Sequence, residues 1–180
     1  MRFRGYSRRE RSAKSTDMMV SLRAITEADL PSLLEIYSGT RAEELALVPE
    51  WSDEDKMRFI TQQFLAQHQY YQEFYRGADL QMIVDGDTPL GRLYVHWNYS
   101  PREVRIMDIT LLPDYRRNGI GSQLLLAILN KGAELGKTVT IHVEFNNTAL
   151  QLYERLGFRK IGEFNSVYYL YEWKPAVPAP

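Results

Sequence analysis

"VRIMDITLLPDYRRNGIG", residues Val104–Gly121, runs directly into the leucine-rich "SQLLLAIL". The first half is apolar and β-branched and reads as a strand. The leucines that follow have helical spacing. Between them sit Arg116, Arg117, Asn118, Gly119 and Gly121. A helix that starts near Asn118–Gly121 leaves its first N–H groups without partners inside the helix, at the positive end of its dipole. The glycines let an anion approach the backbone, and the arginines add charge beside it. The junction is thus a strand-to-helix turn that also makes an anion cradle.

Two familiar phosphate motifs are excluded here. A Walker loop needs Gly-Lys-Ser/Thr, which is absent. A dinucleotide fingerprint needs a third glycine where Leu124 stands.

Working outward, "VSLRAIT" reads as a strand, and Thr26 with Asp29 makes a capping box for a helix bearing Leu30, Leu33, Leu34 and Tyr37. "SGTRAEELALVPEW" is a loop or a short second helix. Ser52 caps a helix running to about Arg76. The period then changes to two: "DLQMIVD" and "PLGRLYVHWNYS" form a hairpin, and "REVRIMDITLLP" follows. Beyond the cradle helix come the strand "TVTIHVEF", the helix "NTALQLYERL", and the strands "FRKIGEF" and "SVYYLYEW". The order β-α-α-β-β-β-α-β-α-β-β predicts an α/β protein with a mixed, mostly antiparallel sheet and helices on both faces.

The 180 residues carry a net charge of −1, which argues against a general nucleic-acid binder. No apolar run approaches the roughly 18 residues of a membrane span. Cysteine is absent, which removes a thiol nucleophile and thiolate metal sites and fits a cytoplasmic setting. The three histidines have no metal-ligand spacing, so no metal is expected. Residues 1–17 hold six basic and two acidic residues, a net of +4, leaving −5 on the rest. They are expected to form a basic disordered tail, residues 18–174 the domain, and residues 175–180 a proline-rich fray.

A second stretch, "NNTALQLYERLGF" at Asn146–Phe158, completes a pattern. "RRNGIG" resembles the Arg/Gln-x-x-Gly-x-Gly/Ala motif of the GNAT superfamily of N-acetyltransferases. The second stretch resembles that superfamily's Asn-x-x-Ala-x-x-Leu-Tyr-Glu-x-Leu-Gly-Phe signature. The order of elements is also similar, from Val20 to Trp173.

The resemblance implies an enzyme that moves the acetyl group of acetyl-CoA directly to an amine, with splayed fourth and fifth strands. It implies that backbone amides from Arg116 through Arg117, Asn118, Gly119, Ile120 and Gly121 to Ser122 hold the pyrophosphate. It implies that the backbone of Ile109, Thr110, Leu111 and Leu112 pairs with the pantetheine arm. Tyr153 takes the position of the general acid. The motif's asparagine is Asn146 or Asn147; Asn146 keeps the spacing to Ala149, and Asn147 suits a helix cap. The same fold without catalysis would be an acyl-CoA-binding module. The acceptor is a small-molecule or protein amine, and a homodimer is compatible with the family.

For the base, Asp108 is the leading candidate. Strand alternation puts it with Val104, Ile106 and Leu112, where a lone carboxylate among apolar neighbours would have a raised pKa. His142 and Glu144 share a face of the next strand. With Glu43 and Glu44 of "TRAEELALVPEW", they are candidates for the acceptor pocket. Tyr94, Trp97, Tyr168, Tyr169 and Tyr171 line the same cavity or belong to the core.

Overall fold

The computed structural model describes residues 18–176. The expectation for residues 1–17 lies outside these, as do residues 177–180 of the fray. Strand β1 (Val20–Ala24) leads through a short 3-10 turn into α1 (Leu30–Thr40), then α2 (Ala42–Ala46) and α3 (Asp53–Phe74). Strands β2 (Asp79–Asp85), β3 (Thr88–Ser100) and β4 (Glu103–Leu111) follow. After α4 (Ile120–Glu134), β5 (Thr138–Glu144) and α5 (Leu150–Arg155), the chain closes with β6 (Arg159–Phe164) and β7 (Tyr168–Trp173). The expected order holds, with "TRAEELALVPEW" supplying the short α2.

Local chemistry sets these boundaries. Asp29 accepts the Thr26 amide at 2.8 Å and so closes the capping box before α1. Ser52 Oγ accepts the Asp55 amide at 3.1 Å at the start of α3, with Asp53, Glu54 and Asp55 set against the dipole.

The seven strands form one sheet in the order β1-β2-β3-β4-β5-β7-β6. Every pairing is antiparallel except β4 with β5. Helices cover both faces. Leu33, Ile36 and Tyr37 of α1 and Ile60 and Phe64 of α3 pack on Met82 and Val84. On the other face Ile120, Leu125, Ile128 and Leu129 of α4 and Tyr153 of α5 pack on Val104, Ile106, Val139 and Ile141. Each such side chain contributes roughly 1.5–3 kcal/mol by leaving water.

Two irregularities of β4 shape everything that follows. First, its parallel pairing with β5 covers only Glu103–Ile106 against Thr138–Ile141, and the strands then part. Second, its register with β3 steps from Tyr94↔Asp108 to Val95↔Ile106, so Met107 is an extra, unpaired residue. A one-residue bulge inverts the facing of all that follows. Val104 and Ile106 point into the core under α4, whereas Asp108 points toward α3. The expectation that Asp108 shares a face with Val104 and Ile106 is therefore corrected: strict alternation fails at Met107. Leu112 does lie on the α3 side with Asp108.

Candidate active site

The strand end and helix start form the first half of the site. Leu112 donates its N–H to Leu90 O at 2.8 Å, across to β3. Alternation then turns the N–H and C=O of Leu111 and Ile109 the other way, onto the edge that β5 has left. This narrows the expected pairing edge from Ile109–Leu112 to Ile109 and Leu111, because Thr110 and Leu112 are spent on β3. The Leu111 carbonyl already accepts Arg116 Nε at 2.8 Å, which folds that side chain back onto the strand.

The first bond of α4 runs from the Gln123 amide to Gly119 O at 3.0 Å. The amides of Ile120, Gly121 and Ser122 are therefore free of helical partners. Arg117 and Gly119 have φ of 63° and 81°, a left-handed pair flanking Asn118 that curls the preceding amides toward the same concavity. A Cβ on Gly121 would meet only Leu111 Cδ1, at 3.9 Å, so the space before these amides is open. The Arg116 amide, expected in the cradle, instead bonds Pro113 O at 3.3 Å, so the free run starts at Arg117. The Arg117 and Asn118 side chains are exposed, and buried Ile120 anchors the turn.

Tyr153 stands on α5 with its ring edge against Phe158, the centroids 5.6 Å apart. It is buried, and its hydroxyl has no hydrogen-bond partner among the described residues. Burial, and after it the charge of Asp108, raises its pKa above the usual phenol value. Asn147 is structural: its Oδ1 accepts the Ala149 amide at 2.8 Å, and its own amide bonds Glu144 O at 3.0 Å. Asn146 is exposed beside it.

Asp108 is not a lone carboxylate. Oδ2 accepts Arg92 NH2 at 2.7 Å, and Oδ1 accepts the Thr110 hydroxyl at 2.7 Å. Arg92 is nearly sealed from solvent and also donates to Gln67 of α3 at 3.0 Å. Asp108 therefore lacks the unpartnered, apolar setting expected of it as a base. Arg92 escaped the sequence reading because "GRLYVHW" looks like a strand with one solvated face. That face instead lies under α3, where Arg92, Tyr94 and His96 alternate inward. Burial first, opposed by Arg92 and assisted by Asp108, pushes the Tyr94 phenol up to about 12.

The other half of the site is made of side chains. Arg41 lies between α1 and α2, with NH1 2.5 Å from Glu44 Oε1 and 3.5 Å from Glu144 Oε1. Its guanidinium sits 5.4 Å from the Tyr37 ring centroid, and that of Arg92 5.9 Å from the same ring. A chain of contacts therefore runs from Glu144 through Arg41 and the Tyr37 ring to Arg92 and Asp108. Glu43 is exposed and makes no ion pair among the described residues, so of the expected acidic pair only Glu44 joins the site. Arg41, like Arg92, was not foreseen: its Glu144 partner is 103 residues away.

His142 shares the face of Glu144, with Nδ1 3.1 Å from Arg105 NH1 and its ring against Phe164. Burial, then the Arg105 charge, lowers its pKa. With Arg105 donating to Nδ1, the neutral ring carries its proton on Nε2 and offers no free lone pair. Of the expected aromatic set, Tyr168 pairs in register with Glu144. Tyr169, Tyr171 and Trp97 pack toward the α4 side, and Tyr94 lies under α3. Among the described residues no helix is long and apolar enough to cross a membrane, and no cluster of three or more acidic or histidine side chains is arranged for a metal.

An open amide turn beside a free strand edge fits a nucleotide-like phosphate with an extended arm. A curated N-alpha-acetyltransferase of Sulfurisphaera tokodaii is 30% identical over 100 residues, 48% of this chain and 59% of that protein. The chain thus matches less than two thirds of that relative's length. The PaiA N-acetyltransferase from Thermoplasma acidophilum, solved in complex with coenzyme A, superposes with a TM-score of 0.65 at 18% identity. That match covers 87% of this chain and 99% of the other. The ribosomal-protein-S18-alanine N-acetyltransferase from Escherichia coli gives 0.60 at 17% identity, over 89% and 97%. At these identities the solved structures speak for the fold. The sequence itself matches the Acetyltransferase (GNAT) family over residues 36–158, a span holding the parted strands, the amide turn and Tyr153. With more than half of its length inside that match, the chain belongs to the acetyltransferase (GNAT) family.

Proposed function

We propose that this chain is an N-acetyltransferase that uses acetyl-CoA as donor and passes the acetyl group directly to an amine. The observation that carries the reading is a free amide turn at the end of β4, beside the gap left by β5, with buried Tyr153 in the same core cluster as Ile120 of that turn. The amides of Arg117–Ser122 would hold the pyrophosphate, and the edge of Ile109 and Leu111 the pantetheine arm. Bound acetyl-CoA supplies a thioester whose carbonyl a neutral amine attacks and whose sulfur leaves.

The chain's own part is to orient and to hold protons. Tyr153, with its raised pKa, keeps its Oη proton throughout the neutral range, available to a leaving group. Asp108 fixes Arg92 and, through its charge, favours the protonated form of Tyr153. Glu144, Arg41 and Glu44 face the acceptor. The absence of cysteine, which removes the usual acyl-enzyme nucleophile, supports direct transfer. The relative named an N-alpha-acetyltransferase supports peptide α-amines as acceptors, beside small amines.

A thiol-release assay with acetyl-CoA across a panel of peptides and small amines tests this. Amine-dependent thiol release is expected. Acetyl-CoA binding without release by any amine would return the chain to a binding module. Stabilisation by ATP or NAD but not by coenzyme A species would overturn the donor assignment.

A further inference from the structure

The contacts of Arg41 are unequal, and the inequality has a use. Its backbone is fixed at the joint of two helices, with N–H on Ser38 O at 3.0 Å and C=O on the Leu45 amide at 2.9 Å. Its guanidinium is close to Glu44 at 2.5 Å but only 3.5 Å from Glu144, beyond the 2.7–2.9 Å of a charge-assisted hydrogen bond. Glu144 stands three residues past Ile141, the last β5 residue paired with β4. It therefore lies beyond the last β4–β5 pair, on the β5 side of the opening. A carboxylate has about four acceptor sites, and one long contact leaves Glu144 largely unfilled. The three side chains together carry a net charge of −1.

We infer that Arg41 stands in for the acceptor: Glu144 is the subsite for a cationic primary amine, and Arg41 occupies it loosely until the acceptor's ammonium displaces the guanidinium onto Glu44. This rests on the transferase reading above. Space for the withdrawal exists, because Arg41 and Glu44 line a cavity of about 160 Å³ with Tyr37, Phe59, Ile60 and Gln63. The cost is small. A partly exposed ion pair is worth about 0–1 kcal/mol, and the tighter Glu44 contact is kept throughout. Once an ammonium sits on Glu144, the four charges cancel. Peptide N-termini and polyamines share this chemistry and are separated by assay; the ammonium is the form that binds, and it gives its proton to solvent before the neutral amine attacks the thioester.

The test is steady-state thiol release by the full chain with an alanyl tripeptide amide and with spermidine. Arg41→Gln is expected to lower the acceptor KM about five-fold by removing the competing cation, while the acetyl-CoA KM stays within about two-fold. Arg41→Lys keeps a competing cation and should lower the acceptor KM less than Arg41→Gln does. Glu144→Gln should raise the acceptor KM about ten-fold, and in that background Arg41→Gln should have no further effect. Whichever acceptor shows this pattern identifies the source of the ammonium. A merely structural arginine would instead raise the KM of both substrates, with a lower melting temperature. An acceptor KM that rises or stays fixed in Arg41→Gln, or a gain that survives Glu144→Gln, overturns the inference while leaving the transferase reading intact. No thiol release by the unmutated chain with any amine overturns both.

Discussion

The two halves of the site are built from different materials. The half assigned to the donor is main chain: a turn of unpaired amides from Arg117 to Ser122 and the edge of Ile109 and Leu111. The half assigned to the acceptor is charged side chains drawn from distant elements, Arg41 and Glu44 from the α1–α2 joint and Glu144 from β5. Main chain is the same whatever side chains surround it, so the first half suits an invariant ligand. Side chains are exchangeable, so the second half is where an acceptor preference is written. The Asp108–Arg92 pair connects to both: Asp108 precedes Ile109 on β4, and Arg92 stands over the Tyr37 ring that Arg41 also faces.

Breaking that pair should have the largest effect. Asp108→Ala leaves the Arg92 guanidinium buried without its counter-charge, which should cost about 3–5 kcal/mol in chemical denaturation. The double variant Arg92→Met with Asp108→Leu should recover most of that stability and still be a poor enzyme. If Asp108→Ala loses less than about 1 kcal/mol, the pair is not a structural link between the halves.

Gly121→Val separates folding from ligand. The free space at its Cβ position predicts a stability change of about 1 kcal/mol or less. The new side chain stands before the amides, so acetyl-CoA affinity should drop about a hundred-fold in calorimetry. Acceptor binding should be unaffected. Equal loss of both ligands would erase the division between the halves.

Tyr153→Phe removes a proton donor and little packing. The turnover number should fall about ten- to a hundred-fold with the acetyl-CoA KM nearly unchanged. Because burial and Asp108 raise its pKa above 10.0, Tyr153 itself should cause no loss of activity below pH 10 in the parent. Turnover equal to the parent would remove Tyr153 from the chemistry.

The same contrast explains what the sequence makes legible. The amide turn is local: Gly119, Gly121 and the strand and helix around them lie within one short stretch, so their spacing states their purpose. The order of elements is similarly legible, because period and caps such as Thr26 with Asp29 are short-range. The acceptor half is not local. Nothing near Arg41 points to Glu144, and nothing near Asp108 points to Arg92. The bulge at Met107 hid that second link, since strict alternation placed Asp108 on the wrong face. One unpaired residue turned an expected lone carboxylate into half of an ion pair.

The smallest effect probes how firmly the acceptor half is mounted. Arg41 hangs from the C-terminal end of α1, and the start of α1 is held by Asp29. That carboxylate takes Arg23 at 2.6 and 2.8 Å and both the amide and the hydroxyl of Thr26. The Arg23 bond, followed by the Thr26 bonds, outweighs burial and holds the Asp29 pKa far below the usual carboxylate range. A depressed folded pKa gives stability that is present above the unfolded value of about 3.9 and is lost as pH falls toward the folded one. Asp29→Asn should therefore cost about 1 kcal/mol at pH 7, with parent and variant converging as the medium becomes strongly acidic. The cost is modest because Arg23 is partly exposed and screened by solvent. Protection against hydrogen exchange, relative to the intrinsic rate at each pH, should fall first across α1 as pH drops below about 4, while the amides of α4 stay protected. Simultaneous loosening of α1 and α4 would mean that the two halves unfold as one unit, whatever their difference in construction.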